Sequence, residues 1–235
     1  MLILSLNKTT LLDYPGHVAA TIFAGGCNFR CPFCHNRDIV LKSSSLVPLS
    51  TEEILGFLKK RRNVLTGVCI TGGEPTLYPD LPDLIWLIKE LGYLVKLDTN
   101  GTNPQMLQDL IHRGLIDYCA MDIKNAPEKY GVTVGIHKEH TGFDLTAIDR
   151  SVQILMQQRI PYEFRTTIVK ELHDENDMLS ISQWIAGADA YFLQSYTDSE
   201  GVLCSGYHAH SAKTLQAYAA LCRQLIPNTA LRGIY

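Results

Sequence analysis

Six times between residues 18 and 196, a short and nearly continuous apolar run stops at glycine or polar residues, and in most cases a helical pattern follows. The runs cover 18–23, 67–71, 93–97, 116–121, 162–169 and 190–196. Apolar runs of this length, rather than alternating ones, belong to strands buried on both faces, as in parallel sheets covered by helices. The helices between them carry their own punctuation. Ser50 with Glu53 forms a capping box, Asn103-Pro104 places a cap before a proline, and Gly92 and Gly114 follow the last periodic residues of two helices. Further helices are predicted from about Asp80, around Ile148, Val152 and Leu155, over 174–186, and from Ser211 through Leu215, Tyr218, Cys222 and Leu225.

Repeated strand–helix units predict an α/β fold, a partial (β/α)6 barrel with helices outside. Eight units would close the barrel, so six leave a gap on one side, and a doubly wound open sheet is the alternative. Residues 1–16 read as a short N-terminal strand or hairpin closed by Asp13-Tyr-Pro-Gly16, 17–198 as the partial barrel, and 199–235 as an extension with a helix and an edge strand over 229–234. No linker divides the chain, which predicts a single domain over 1–235. The stretch 125–142 lacks clear periodicity, and 197–210 reads as a loop.

In either architecture ligands bind at the C-terminal ends of the strands. Those ends are polar here: Cys27, Glu74, Asp98, Asp122 with Lys124, Arg165 with Thr167, and Gln194 each fall at or near the end of a different run. Any one of them alone is an ordinary loop charge in water; six in succession point to a site. Arg165 sits in mid-strand, where an arginine is costly to bury without an anionic partner.

The loop after the first run holds Cys27, Cys31 and Cys34. Thiolates suit iron–sulfur clusters and zinc, and a closed site of either kind takes four ligands, so three imply a metal centre with an open position. Zinc would need a fourth ligand, for which His35, adjacent to Cys34, is badly placed. Pro32 and Gly25-Gly26 make this a loop, where cysteines do not pack as core hydrophobes. Cys69 and Cys119 lie inside apolar runs and suit that core role; Cys204 and Cys222 are isolated. Gly72-Gly73-Glu74 ends the second run: glycines let a ligand approach the backbone, and the carboxylate can accept from an ammonium group. No Gly-Lys-Ser or Gly-Lys-Thr follows, so this is not a phosphate loop.

A net charge of −3 without a basic block gives no electrostatic footprint for nucleic acid or an anionic membrane. No apolar run approaches the roughly 20 residues that span a bilayer. Seven cysteines, of which only three cluster, fit a reducing compartment, so a cytoplasmic location is expected.

Cys27-x3-Cys31-x2-Cys34 with Phe33 before the last cysteine, followed by Gly72-Gly73-Glu74, resembles the radical S-adenosylmethionine superfamily. The resemblance covers nearly the whole chain and implies the partial barrel of that family. It further implies a 4Fe-4S cluster on Cys27, Cys31 and Cys34, with S-adenosylmethionine on the open iron. Within the superfamily, Cys34-His-Asn36, Leu97-Asp-Thr-Asn-Gly101 and Met121-Asp-Ile-Lys124 resemble the glycyl-radical-enzyme activases. Asp13-Tyr-Pro-Gly16, Phe164-Arg-Thr-Thr167 and Leu231-Arg-Gly233 look most like the activating proteins of anaerobic ribonucleoside-triphosphate reductase.

That resemblance implies reductive cleavage of S-adenosylmethionine to a 5'-deoxyadenosyl radical, which takes hydrogen from a glycine of the reductase, with a flavodoxin-like reductant. It implies that Gly72, Gly73 and Glu74 bind the methionine ammonium with help from Asp98, that Lys124 balances the carboxylate, that Phe33 brings backbone groups to the adenine, and that Arg165 meets ribose or carboxylate. Asp98 and Asp122 would hold a monovalent cation, as in some activases. Activases of the pyruvate formate-lyase type generally have histidine near the last strand end, where this chain has Gln194. The alternatives are such an activase, a small-molecule radical enzyme such as a carboxy-deazaguanine synthase, which usually has aspartate where His35 stands, or a non-catalytic zinc or iron–sulfur module.

Overall fold

The computed structural model describes residues 1–41, 43, 45–136 and 145–234. Eight strands form one sheet in the order of the sequence: β1 (Ile3–Thr10), β2 (Ala19–Ala24), β3 (Gly67–Gly72), β4 (Leu94–Thr99), β5 (Tyr118–Asp122), β6 (Tyr162–Ile168), β7 (Tyr191–Ser195) and β8 (Thr229–Arg232). β1 is antiparallel to β2, and every later neighbour is parallel. Among the described residues β8 and β1 do not pair, so the barrel is open between them. The six expected runs are β2 to β7.

Two boundaries differ from the sequence reading. The turn at Asp13–Gly16 does not close a hairpin within the first sixteen residues; it joins β1 to β2, so the hairpin reaches Ala24. The C-terminal edge strand is a seventh parallel strand, with Gln194 in register with Arg232.

The helices are α1 (Arg37–Leu41), α2 (Thr51–Lys60), α3 (Leu81–Glu90), α4 (Pro104–His112), α5 (Tyr130–Thr133), α6 (Leu145–Met156), α7 (Glu175–Trp184) and α8 (Ala212–Cys222). The capping box at Ser50 forms as its sequence dictates: the Ser50 hydroxyl accepts from the Glu53 amide at 3.1 Å, and Glu53 Oε2 accepts from the Ser50 amide at 2.7 Å. Such a cap stabilises a helix by about 1 kcal/mol. Asn103 caps α4 and Ser211 caps α8 in the expected way. Of the stretch 125–142, residues Pro127–Lys129 form a 3-10 turn that leads into α5, and 137–142 lie outside the described residues. None of the described helices is long and apolar enough to cross a membrane.

Register divides the strand residues into two faces. One row, Ile22, Ile70, Leu97, Cys119 and Tyr162, is apolar and wholly buried, and it packs with Ile54, Leu58, Ile85 and Ile88 of the outer helices. Each such side chain contributes roughly 1.5–3 kcal/mol by leaving water. The alternate rows face the lumen and hold most of the charge: Lys96 beside Tyr118, Asp98 in line with Glu163, and Asp122 in line with Arg165. The parallel sheet thus carries its core outside and its chemistry inside.

Candidate functional site

A cavity of about 240 Å³ opens at the C-terminal ends of the strands. Every residue the sequence singled out lines it: Cys27, Cys31, Phe33 and Cys34 from the loop after β2, Gly72, Gly73 and Glu74 after β3, Asp98 on β4, Asp122 and Lys124 at the end of β5, Arg165 on β6 and Gln194 on β7.

The cysteine loop is held by backbone on three sides. The Gly25 amide donates to Leu2 O at 2.9 Å, the Glu74 amide to Gly26 O at 2.9 Å, and the Cys34 amide to Cys31 O at 3.0 Å. From the distal end of the chain, Leu203 donates to Cys34 O and Cys204 to Pro32 O, both at 2.9 Å, while the Arg37 amide donates to Gly201 O at 3.3 Å. His35 is engaged with Thr197 O at 2.6 Å, which agrees with its poor placement as a ligand. Burial pushes the Cys31 thiol up to about 12, although the nearby Lys124 opposes this, so ligation there must expel a proton. Among the described residues no three Cys, His, Asp or Glu side chains gather as they would around a single ion. Zinc needs all its ligands within about 2.3 Å of one centre. Three thiols lining one cavity supply the ligand set of a polynuclear cluster with one open position.

Glu74 is only 1% exposed, and the chain itself takes up its carboxylate. Oε1 accepts from the Thr76 amide (3.1 Å), the Thr76 hydroxyl (2.6 Å) and the Thr99 hydroxyl (2.8 Å), and Oε2 accepts from the Asn100 amide at 2.6 Å. Burial raises its pKa, and these four donors pull it back. A carboxylate offers about four lone-pair sites, so Glu74 ties the end of β3 to the end of β4. Three of these donors converge on Oε1 and one on Oε2, and Glu74 still lines the cavity beside the Gly72-Gly73 turn. Asn36 braces the turn by donating to Gly72 O at 2.8 Å.

Across the lumen runs a ladder of alternating charge. Lys96 pairs with one oxygen of Asp98, and Arg165 Nη1 meets the other at 3.2 Å. Arg165 Nε then donates to Asp122 Oδ1 at 3.0 Å, and Lys124 Nζ to Asp122 Oδ2 at 3.1 Å. Burial works against both carboxylates, but Arg165 with Lys96 holds Asp98 below the usual range, and Arg165 with Lys124 holds Asp122 at about 2. All four carboxylate oxygens therefore have a protein cation as partner, and the place expected for a monovalent cation is bridged by Arg165. The cavity wall carries two cations, Lys124 and Arg165, with three carboxyl groups, Glu74, Asp98 and Asp122; the two cations are the groups that suit an incoming carboxylate.

Lys96, Thr99 and Asn100 are functional neighbours that the sequence reading did not assign. Thr99 and Asn100 stood inside a recognised motif. Lys96 shares its strand face with Asp98 two residues on, and that spacing was the signal available.

A Radical SAM superfamily model matches residues 21–180. A putative glycyl-radical enzyme activating enzyme of Methanocaldococcus jannaschii is 33% identical over 199 residues, which cover 83% of this chain and 80% of that protein. The pyruvate formate-lyase-activating enzyme of Clostridium pasteurianum is 31% identical over 146 residues, 60% of this chain and 59% of that enzyme. Among solved structures, Streptococcus suis SuiB bound to S-adenosylmethionine superposes with a TM-score of 0.67 at 14% identity, covering 90% of this chain and 49% of that one. This chain thus spans about half the length of that structure, and the likeness is one of fold.

Proposed function

From a chain that belongs to the radical S-adenosylmethionine superfamily, and is an enzyme of that class, we propose an activase that generates a glycyl radical on anaerobic ribonucleoside-triphosphate reductase. The observation that carries this reading is the joining, in one cavity, of three loop thiols with the cations Lys124 and Arg165. The likeness to activating enzymes supports the activase class, and the motifs Asp13-Tyr-Pro-Gly16 and Leu231-Arg-Gly233 favour the reductase as partner.

Cys27, Cys31 and Cys34 would hold a 4Fe-4S cluster, with S-adenosylmethionine at its open iron. When bound, that pair would turn one electron from an external reductant into methionine and a 5'-deoxyadenosyl radical, the radical being able to take a hydrogen atom from a glycine Cα. The protein's share is placement. Lys124 and Arg165 would meet the amino-acid carboxylate, the Gly72-Gly73 backbone with Glu74 beside it would offer acceptors to the ammonium, and Phe33, 3% exposed, would lie toward the adenine. Gln194, on β7 at the cavity wall, would lie toward the adenosyl group. The gap between β8 and β1 admits a backbone loop of the partner, and a flavodoxin-like protein supplies the electron.

Reconstituted anaerobically with iron, sulfide and reductant, the protein should release 5'-deoxyadenosine from S-adenosylmethionine. Added anaerobic ribonucleotide reductase should then show a glycyl radical by electron paramagnetic resonance. Absence of cleavage defeats the reading; cleavage without a signal from a competent reductase defeats the choice of partner.

A further inference from the structure

Among the described residues Lys96 is the largest charged side chain that is fully buried, at 1% exposure. Its Nζ pairs with Asp98, and the other neighbour within reach is Cys69 Sγ at 3.9 Å. A thiol is a weak acceptor, so Cys69 gives no reason for a lysine. A buried ion pair is often no more stabilising than an apolar pair of similar volume. What an apolar residue at position 96 could not do is occupy Asp98 Oδ1.

That occupation governs the rest of the ladder. With Oδ1 taken, Asp98 presents a single oxygen to Arg165, whose fork is divided: Nη1 goes to Asp98 and Nε to Asp122. The divided fork leaves Asp122 one oxygen for Lys124. If Lys96 lost its charge, Asp98 would hold two acceptor sites beside a guanidinium, and the bidentate pairing that Arg165 favours would draw it fully onto Asp98. Asp122, released by Arg165, would then bind Lys124 with both oxygens and withdraw it from the cavity.

We propose that Lys96 is a positioning residue: acting through Asp98, Arg165 and Asp122, it keeps Lys124 and Arg165 available to the carboxylate of the bound amino-acid moiety. The proposal rests on the reading of this cavity as an S-adenosylmethionine site, and the test separates the two. Lys96→Met and Lys96→Gln remove the charge at similar volume; Lys96→Arg keeps it. Each reconstituted protein is titrated by equilibrium dialysis with S-adenosylmethionine and with its decarboxylated analogue, which keeps the ammonium, sulfonium and adenosyl groups.

Wild type should prefer the carboxylate-bearing ligand. Lys96→Met and Lys96→Gln should weaken S-adenosylmethionine about tenfold and change the analogue less than twofold, with Lys96→Arg close to wild type. Equal weakening of both ligands marks a general structural loss and overturns the proposal, as does no weakening of either. Failure of both neutral variants to fold assigns Lys96 to the core and overturns it too. Wild type that binds neither ligand, or does not distinguish them, overturns the proposal together with the reading beneath it.

Discussion

Gly73→Ala tests the closest approach of backbone to any of the described glycines. A Cβ at this position would lie 1.6 Å from Gly26 O and 2.5 Å from Gly26 C, whereas an ordinary contact begins near 3.4 Å. Gly73 is not among the glycines with positive φ, so alanine suffers no backbone penalty and the steric effect stands alone. The obstacle is backbone rather than a mobile side-chain tip. The β2 and β3 loops must therefore separate by almost 2 Å, on the scale set by ordinary carbon contacts.

That separation breaks the Glu74 amide bond to Gly26 O (2.9 Å) and strains the Gly73 amide bond to Ala24 O (2.8 Å). Two backbone hydrogen bonds at about 1 kcal/mol each, with overpacking strain of about 1–3 kcal/mol, give a loss of roughly 3–5 kcal/mol. Gly56→Ala is the matched control: it lies within α2 with nothing inside 4 Å of the added carbon, and should stabilise by about 0.5–1 kcal/mol. Anaerobic urea unfolding of both variants gives the stabilities, and iron content after reconstitution reports the cysteine loop. If Gly73→Ala unfolds within 1 kcal/mol of wild type on the scale of a single hydrogen bond and loads iron fully, the close-approach argument is refuted.

Two further expectations follow from the same lumen. Asp122, held at about 2 against an ordinary 3.8, contributes stability that is present above the unfolded value and lost as pH falls through the folded one. The stability gap between wild type and Asp122→Asn should therefore narrow by at most about 2 kcal/mol between pH 4 and 2, as urea titrations across that range would show; a flat gap argues against the pairing. Cys31→Ala should abolish iron loading, whereas Cys69→Ala should retain it and lose about 1–2 kcal/mol of stability, with iron analysis and unfolding midpoints as the measurements.

The fold was legible because each β strand from β2 to β7 carries an unbroken buried face, and that signal survives without tertiary information. Short helices were not: α1 and α5 have 5 and 4 residues, too few for a helical period to register. The site was legible by position and less so by role. Topology alone places Glu74 and Asp98 at the cavity, but how many donors reach Glu74 depends on where Thr99 and Asn100 arrive from another strand. Lys96 escaped notice because a lysine in an apolar run reads as an edge or surface residue until its facing carboxylate is known. Cys69 was assigned to the core; it is indeed buried, yet its register puts it on the lumen face, beside Lys96.

The hydrogen bonds from Leu203 and Cys204 to the cysteine loop have a consequence for biosynthesis. In chain order the loop precedes β3, while the segment that fastens it follows β7 and is made about 170 residues later than the cysteines on the sequence numbering. Until then Cys31 and Cys34 belong to a segment lacking its backbone bonds to Gly201, Leu203 and Cys204, open to oxidation and to stray metals. Delivery of iron and sulfide to this protein should accordingly be a late event, timed by the arrival of the residues around Leu203 rather than by the cysteines themselves.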